Sequence, residues 1–220
     1  MRVTITCPMK LRSIVWLVVV SLTFLRSAFG QGFVNLDFES ANVSGYPLYS
    51  TDVSVSSALP GWNAYFITSG TTNTLTQVGY DAISAGGAGI TVIDNNAPAL
   101  LPLQGKYSAV LFGTDLNGST TTMISQTGLV PDGTKSLLMD VYAFYNFQVT
   151  LGGQTISMIP MQTFSNLGFD YTLYGANISS FAGSVETLSL IAHRQEDLTV
   201  WNLTTSNFPL RPFLNQAHWA

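Results

Sequence analysis

Cysteine, histidine and charge are all scarce in this 220-residue chain. The single cysteine, Cys7, falls among the first thirty residues, and the two histidines, His193 and His218, stand well apart. Beyond Gly30 this excludes disulfides, thiolate chemistry, cysteine-held metals and a lipid-modified N-terminal cysteine. A histidine-based relay or a transition-metal site has too few partners. Only 9% of residues are charged. After Gly30 the bases are Lys106, Lys135, Arg194 and Arg211 against all twelve acids, leaving a net charge of −8. A sparse acidic surface repels phosphate, so nucleic acid and anionic membranes are poor partners. Long helical apolar periods are missing as well; stability has to come from apolar burial and strand pairing.

What the chain does have begins at its N-terminus. Residues 1–12 carry Arg2, Lys10 and Arg12 and no acid, residues 13–25 are nearly all apolar, and Ala28-Phe29-Gly30 supplies small residues at the two positions a signal peptidase reads. This is the pattern of a secretory leader cut after Gly30, with Met9 as a second acceptable start. The apolar run is too short for a comfortable permanent span. The chain is therefore expected to be exported.

The body, 31–203, reads as one all-β domain. Segments rich in Val, Ile, Thr, Tyr and Phe recur at 34–38, 62–68, 75–78, 90–93, 107–112, 121–126, 136–144, 147–151, 155–160, 169–173, 185–193 and 198–203. Turn residues separate them, among them Pro60-Gly61, Asn117-Gly118, Pro131-Asp132-Gly133 and Ala182-Gly183. Gly152-Gly153 between two strands predicts a tight hairpin, because a primed turn needs positive φ. In 185–193 one face is wholly apolar apart from Glu186. Residues 177–181 fit one helical turn, and 54–57 and 69–74 read as loops. A dozen short strands without long helices predict a β-sandwich or barrel.

Several segments occur in a familiar order: Asn35-Leu36-Asp37-Phe38-Glu39, Leu59-Pro60-Gly61-Trp62, Gly105-Lys106-Tyr107-Ser108-Ala109-Val110-Leu111, Ile124-Ser125-Gln126-Thr127 and Val200-Trp201-Asn202-Leu203. In this the chain resembles the exported bacterial proteins that end in a PEP-CTERM sorting signal, whose body is similar to a galactose-binding-like jelly roll. The resemblance implies a jelly-roll sandwich and a non-enzymatic structural or extracellular-matrix role at the cell envelope. It implies anchoring through the sorting signal and polysaccharide or other matrix components as partners. A carbohydrate-binding module is the alternative and a glycoside hydrolase the weaker one. The family's last strand continues as Asp-Asp-Ile-x-Phe, followed by Pro-Glu-Pro, an apolar span and a basic tail. Here 204–220 departs from that pattern. Shifted by one reading frame, the codons permit Asp-Asp-Ile-Gln-Phe from Leu203 onward and then Val-Pro-Glu-Pro. The expectation is a frameshift near Thr204 that replaced the native tail and removed the span. The DNA around Leu203 tests it.

No catalytic set is legible. Asp37 and Glu39 alternate onto one strand face, Glu186 and Glu196 lie elsewhere, and nothing pairs two acids for general acid–base work. His193 before Arg194-Gln195-Glu196-Asp197 reads as a solvated turn. No cofactor is expected beyond a possible structural calcium. Asp94-Asn95-Asn96 and Asp115-Leu116-Asn117-Gly118 cluster oxygen ligands in loops, though Asx turns account for both without metal. Glu39 joins Asp94 and Asp115 as a calcium candidate through the resemblance. Saccharide binding needs exposed aromatic faces beside hydrogen bonders. Tyr142, Tyr145, Tyr65 and Tyr80 are the candidates, while Trp62 and Trp201 are expected in the core.

Overall fold

A computed structural model describes residues 31–82, 89–96, 101–113, 120–142, 147–166, 169–193 and 201–204. The proposed leader, the charged turn after His193 and the segment from 205 onward lie outside the described residues.

The strands are β1 (Ser50–Ser54), β2 (Asn63–Thr68), β3 (Thr71–Leu75), β4 (Gln77–Tyr80), β5 (Gly89–Ile93), β6 (Ser108–Phe112) and β7 (Thr120–Leu129). There follow β8 (Ser136–Tyr142), β9 (Phe147–Leu151), β10 (Gln154–Ile156), β11 (Ile159–Asn166), β12 (Phe169–Asn177), β13 (Val185–Ala192) and β14 (Trp201–Thr204). One short helix, α1 (Val55–Ala58), and a 3₁₀ turn at Ser179–Phe181 complete the described elements. An eight-stranded sheet runs β1-β4-β5-β6-β14-β8-β12-β11 and a six-stranded sheet β10-β9-β13-β7-β2-β3. Neighbours are antiparallel except for β4 and β5, which run parallel.

Alternation builds the core. From β13, Leu188, Leu190 and Ala192 are buried and face Ile124, Val149 and Leu151 of the same sheet's inner face. The opposing sheet contributes Val78, Tyr80, Val92, Ala109, Leu111, Met139 and Val141. Each fully buried Leu contributes about 1.5–3 kcal/mol. The Gly152-Gly153 hairpin forms as expected: φ is +59 and +75, and Leu151 pairs with Gln154 across the two-residue loop.

Four expectations need correction. Residues 34–38 are a turn, not a strand, with Asn35 and Phe38 at φ +50 and +62. Residues 71–74, read as loop, belong with Leu75 to the edge strand β3, whose mostly exposed threonines hide its period. Residues 54–57 end β1 and form α1, with Ser54 Oγ accepting from the Ser57 N–H at 3.2 Å as the cap. The strand expected at 155–160 is two strands, β10 and β11, which belong to different sheets. β14 lies between β6 and β8, with Leu203 opposite both Ala109 and Val141.

Candidate functional site

The motif residues converge on one segment. Residues 32–40 cross from one sheet to the other. On the six-stranded sheet, Gly32 bridges to Leu129. The buried Gln126 amide of β7 meets Val34 on both sides, accepting from its N–H at 2.8 Å and donating to its carbonyl at 2.9 Å. A glutamine side chain thus replaces the strand partner that a turn cannot provide. Asn35 then binds the next motif: its Nδ2 donates to the Pro60 carbonyl at 3.0 Å, and its own carbonyl accepts from Trp62 Nε1 at 3.0 Å. Phe38 is fully buried and stacks on Trp62 with ring centroids 5.5 Å apart. The left-handed backbone at Phe38 costs about 1–2 kcal/mol, which burial of its ring offsets.

Glu39 completes the crossing. Its carboxylate accepts from Lys106 N at 2.9 and 3.1 Å and from Tyr107 N at 3.2 Å, on the turn that leads into β6 of the eight-stranded sheet. The three N–H contacts hold the charge and fix the turn. Residues from four of the five motifs therefore form one clasp between the sheets. Lys106 is exposed, with Nζ 4.6 Å from the centre of the Tyr107 ring.

A second polar cluster sits where the parallel strands β4 and β5 end. Asp94 Oδ1 accepts from Asn96 N at 2.7 Å, and Oδ2 accepts from Asn96 Nδ2 at 2.6 Å and Tyr80 Oη at 3.0 Å. Asp94 N donates to Asp81 Oδ1 at 3.1 Å. Asp81 and Asp94 are only 1% and 3% exposed. Burial pushes the Asp81 carboxyl up to about 7 against the Asp94 N–H bond, with the Asp94 charge adding to the rise. Burial likewise pushes the Tyr80 phenol up to about 12.

The saccharide candidates are scattered. Tyr80 is 5% exposed and packs in the core, so it offers no ring face. Tyr65 is half-buried on β2, on the face opposite core residue Ala64, while Tyr142 is half-buried on β8 of the other sheet. Tyr145 and Asp115 lie outside the described residues. Tyr142 has companions that the sequence reading missed. Phe164 on β11 pairs with Tyr171 on β12, and their rings stack at 5.3 Å. Strand alternation puts Tyr142, Tyr171 and Phe164 on the outer face of the eight-stranded sheet, away from core residues Met139 and Val141. Burial raises the Tyr142 phenol, and nearby Asp170 adds to it. Gln104 reaches the same face, donating to buried Asp140 at 2.8 Å and lying 3.5 Å from Tyr171 Oη. Recognising β11 as a strand paired with β12 was the signal needed to find this row.

For calcium, the donor sets point elsewhere. Both Asp94 oxygens meet N–H or O–H donors, and the Glu39 carboxylate meets three N–H contacts, the complement of an anion rather than of a cation. Among the described residues no three or more His, Cys, Asp or Glu side chains cluster around a metal position. His193 Nε2 lies 2.6 Å from Gln148 Oε1, at the surface. A cavity of about 10 Å³ lined by Met139, Phe147, Val149, Leu190 and Ala192 has room for one water at most. Among the described residues no helix is long and apolar enough to cross a membrane.

No family model matches the chain. No curated protein matches it either. A solved structure described as a cyclase from Fischerella sp. TAU is similar at a TM-score of 0.45 and 16% identity, over 80% of this chain and 96% of that one, a likeness too distant to bear on activity.

Proposed function

We propose that this is an exported, non-enzymatic protein of the bacterial envelope or extracellular matrix, with a jelly-roll body of the PEP-CTERM type and a structural role. The observation that carries this reading is how the motif side chains are used. Asn35, Phe38, Glu39, Trp62 and Gln126 are bonded or packed to one another or to backbone within the clasp, 24 to 92 residues apart in sequence. Their polar groups are engaged in bonds that hold the fold together. Expressing the full chain with a C-terminal tag in a bacterium and sequencing the product's N-terminus tests the export part. A product outside the cytoplasm that begins at Gln31 is expected; unprocessed protein retained in the cytoplasm overturns it.

A saccharide-binding reading is second, and the half-buried rings of Tyr142 and Phe164 on the outer face near Gln104 favour it, with Tyr171, itself buried, packed against Phe164. Sugar C–H faces stack on such rings while amide and carboxylate groups bind hydroxyls. A pull-down on insoluble polysaccharides separates the readings. Retention that is lost in Tyr142→Ala and Phe164→Ala supports binding, and no retention on any polysaccharide supports the structural role.

A further inference from the structure

We propose that Asp81 is held as a neutral acid that shares its proton with Asp94, and that losing this proton loosens the joined ends of β4 and β5. The geometry begins with the parallel pairing of these strands. Gly79 lies opposite Thr91 and Tyr80 opposite Val92, so the chain delivers Asp81 and Asp94 to the same end of the sheet. Asp81 N donates to the Val92 carbonyl at 2.9 Å and Asp94 N returns to Asp81 Oδ1 at 3.1 Å, which ties the two strand ends together.

The two carboxyls are solvated unequally. Asp94 has three N–H or O–H contacts, as a charged carboxylate requires. Asp81 has one, to Oδ1; its Oδ2 is buried and accepts from no donor among the described residues. Burying a carboxylate oxygen with no donor beside a second carboxylate is costly. A proton on Asp81 removes that cost, because the Asp94 side chain is within hydrogen-bonding reach and can accept it. Two acids whose surroundings divide the proton unevenly are the expected result.

The surrounding charges do not supply another solution. From β4 comes Tyr80, whose hydroxyl is already given to Asp94. From the turn before β6 come Tyr107 and Lys106, the latter exposed, with the Asp94 and Glu39 charges acting on it through space. From β1, paired with β4, comes Asp52, whose carboxylate accepts from Ser50. Burial as the main cause, and a rise to about 7, agree with this geometry.

The sign of the linkage follows. A folded-state acid that holds its proton more tightly than the unfolded chain favours folding at low pH. That advantage drains away as pH rises from the unfolded carboxyl range, near 4, toward about 7. One differential proton raises the unfolding constant up to tenfold per pH unit within that window.

The test is urea unfolding of the full chain across pH 5–8.5, with and without 5 mM calcium, for wild type and Asp81→Asn. The amide keeps an acceptor for Asp94 N and gains a permanent donor for Asp94. Wild-type stability is expected to fall between pH 5 and 7.5 relative to Asp81→Asn, whose profile is flatter and higher above pH 7. Native-state hydrogen exchange in wild type gives a check that needs no variant: after correction for intrinsic rates, the Asp94 and Asp81 amides are expected to lose protection above pH 7 before the β13 amides do. Parallel profiles for the two proteins, or unchanged protection, overturn the proposal. So does calcium stabilising wild type but not Asp81→Asn at pH 8, which would make the pair a cation ligand.

Discussion

Replacing Gln126 by methionine tests whether the clasp is the structural centre that its hydrogen bonds describe. Methionine has nearly the length of glutamine and suits a site that is 3% exposed, so packing is largely retained. What is lost is the pair of bonds to Val34, at 2.8 and 2.9 Å. Each is worth about 0.5–1.5 kcal/mol net, and a buried group left unpaired costs more. Val34 is 38% exposed, so water recovers part of the loss. The expected cost is about 1–2 kcal/mol in total, or about 2–8 °C in Tm for a domain of this size. Urea unfolding followed by circular dichroism measures it, and hydrogen exchange of Phe38 and Glu39 reports the segment itself. Because Trp62 Nε1 binds the neighbouring Asn35 carbonyl, Trp62→Phe is expected to couple to Gln126→Met by at least about 0.5 kcal/mol in a double-mutant cycle. Strict additivity with unchanged exchange at Phe38 would show that the segment merely lies on the sheets and does not clasp them.

Three further outcomes follow from the same geometry. A Cβ on Gly128 would stand 2.7 Å from Phe33 N and 3.0 Å from Gly32 C, backbone that cannot swing aside, so Gly128→Ala is expected to lower stability by about 1–3 kcal/mol in urea; a neutral effect would mean that the segment is free to shift. Glu39→Gln is expected to lower Tm by the same amount in calcium and in EGTA, since its partners are N–H groups; a difference between the two media would reassign Glu39 to a cation. Exchanging residues 204–208 for the frame-shifted Asp-Asp-Ile-Gln-Phe is expected to raise Tm if that stretch is the family's native last strand; an equal or lower Tm removes the stability argument for a shifted frame.

The central strands of the six-stranded sheet were legible because their partners impose a period that the sequence repeats locally. In β13 every second residue from Leu188 to Ala192 meets the core, and that alternation is visible without knowing what lies opposite. The edge strand β3 has no such constraint: exposed along most of its length, it has no buried face to mark, and threonines read as loop. The segment around Phe38 misled for a different reason. Val34, Leu36 and Phe38 alternate as a strand would, yet the conformation is set by Gln126, Pro60, Trp62 and Lys106, which lie 25 to 92 residues away.

The buried acids make the same point about chemistry. Asp94-Asn95-Asn96 was legible as an Asx turn, and the Asn96 N to Asp94 Oδ1 bond of 2.7 Å is that turn. Nothing local announced Asp81, because its partnership with Asp94 exists only where two parallel strands end side by side. Parallel pairing always joins segments through a crossover, so any site built on it is divided in sequence by construction. Pattern along the chain can therefore locate faces, whereas a site formed at strand ends requires the strand order, which here is β4 beside β5 in an otherwise antiparallel sheet.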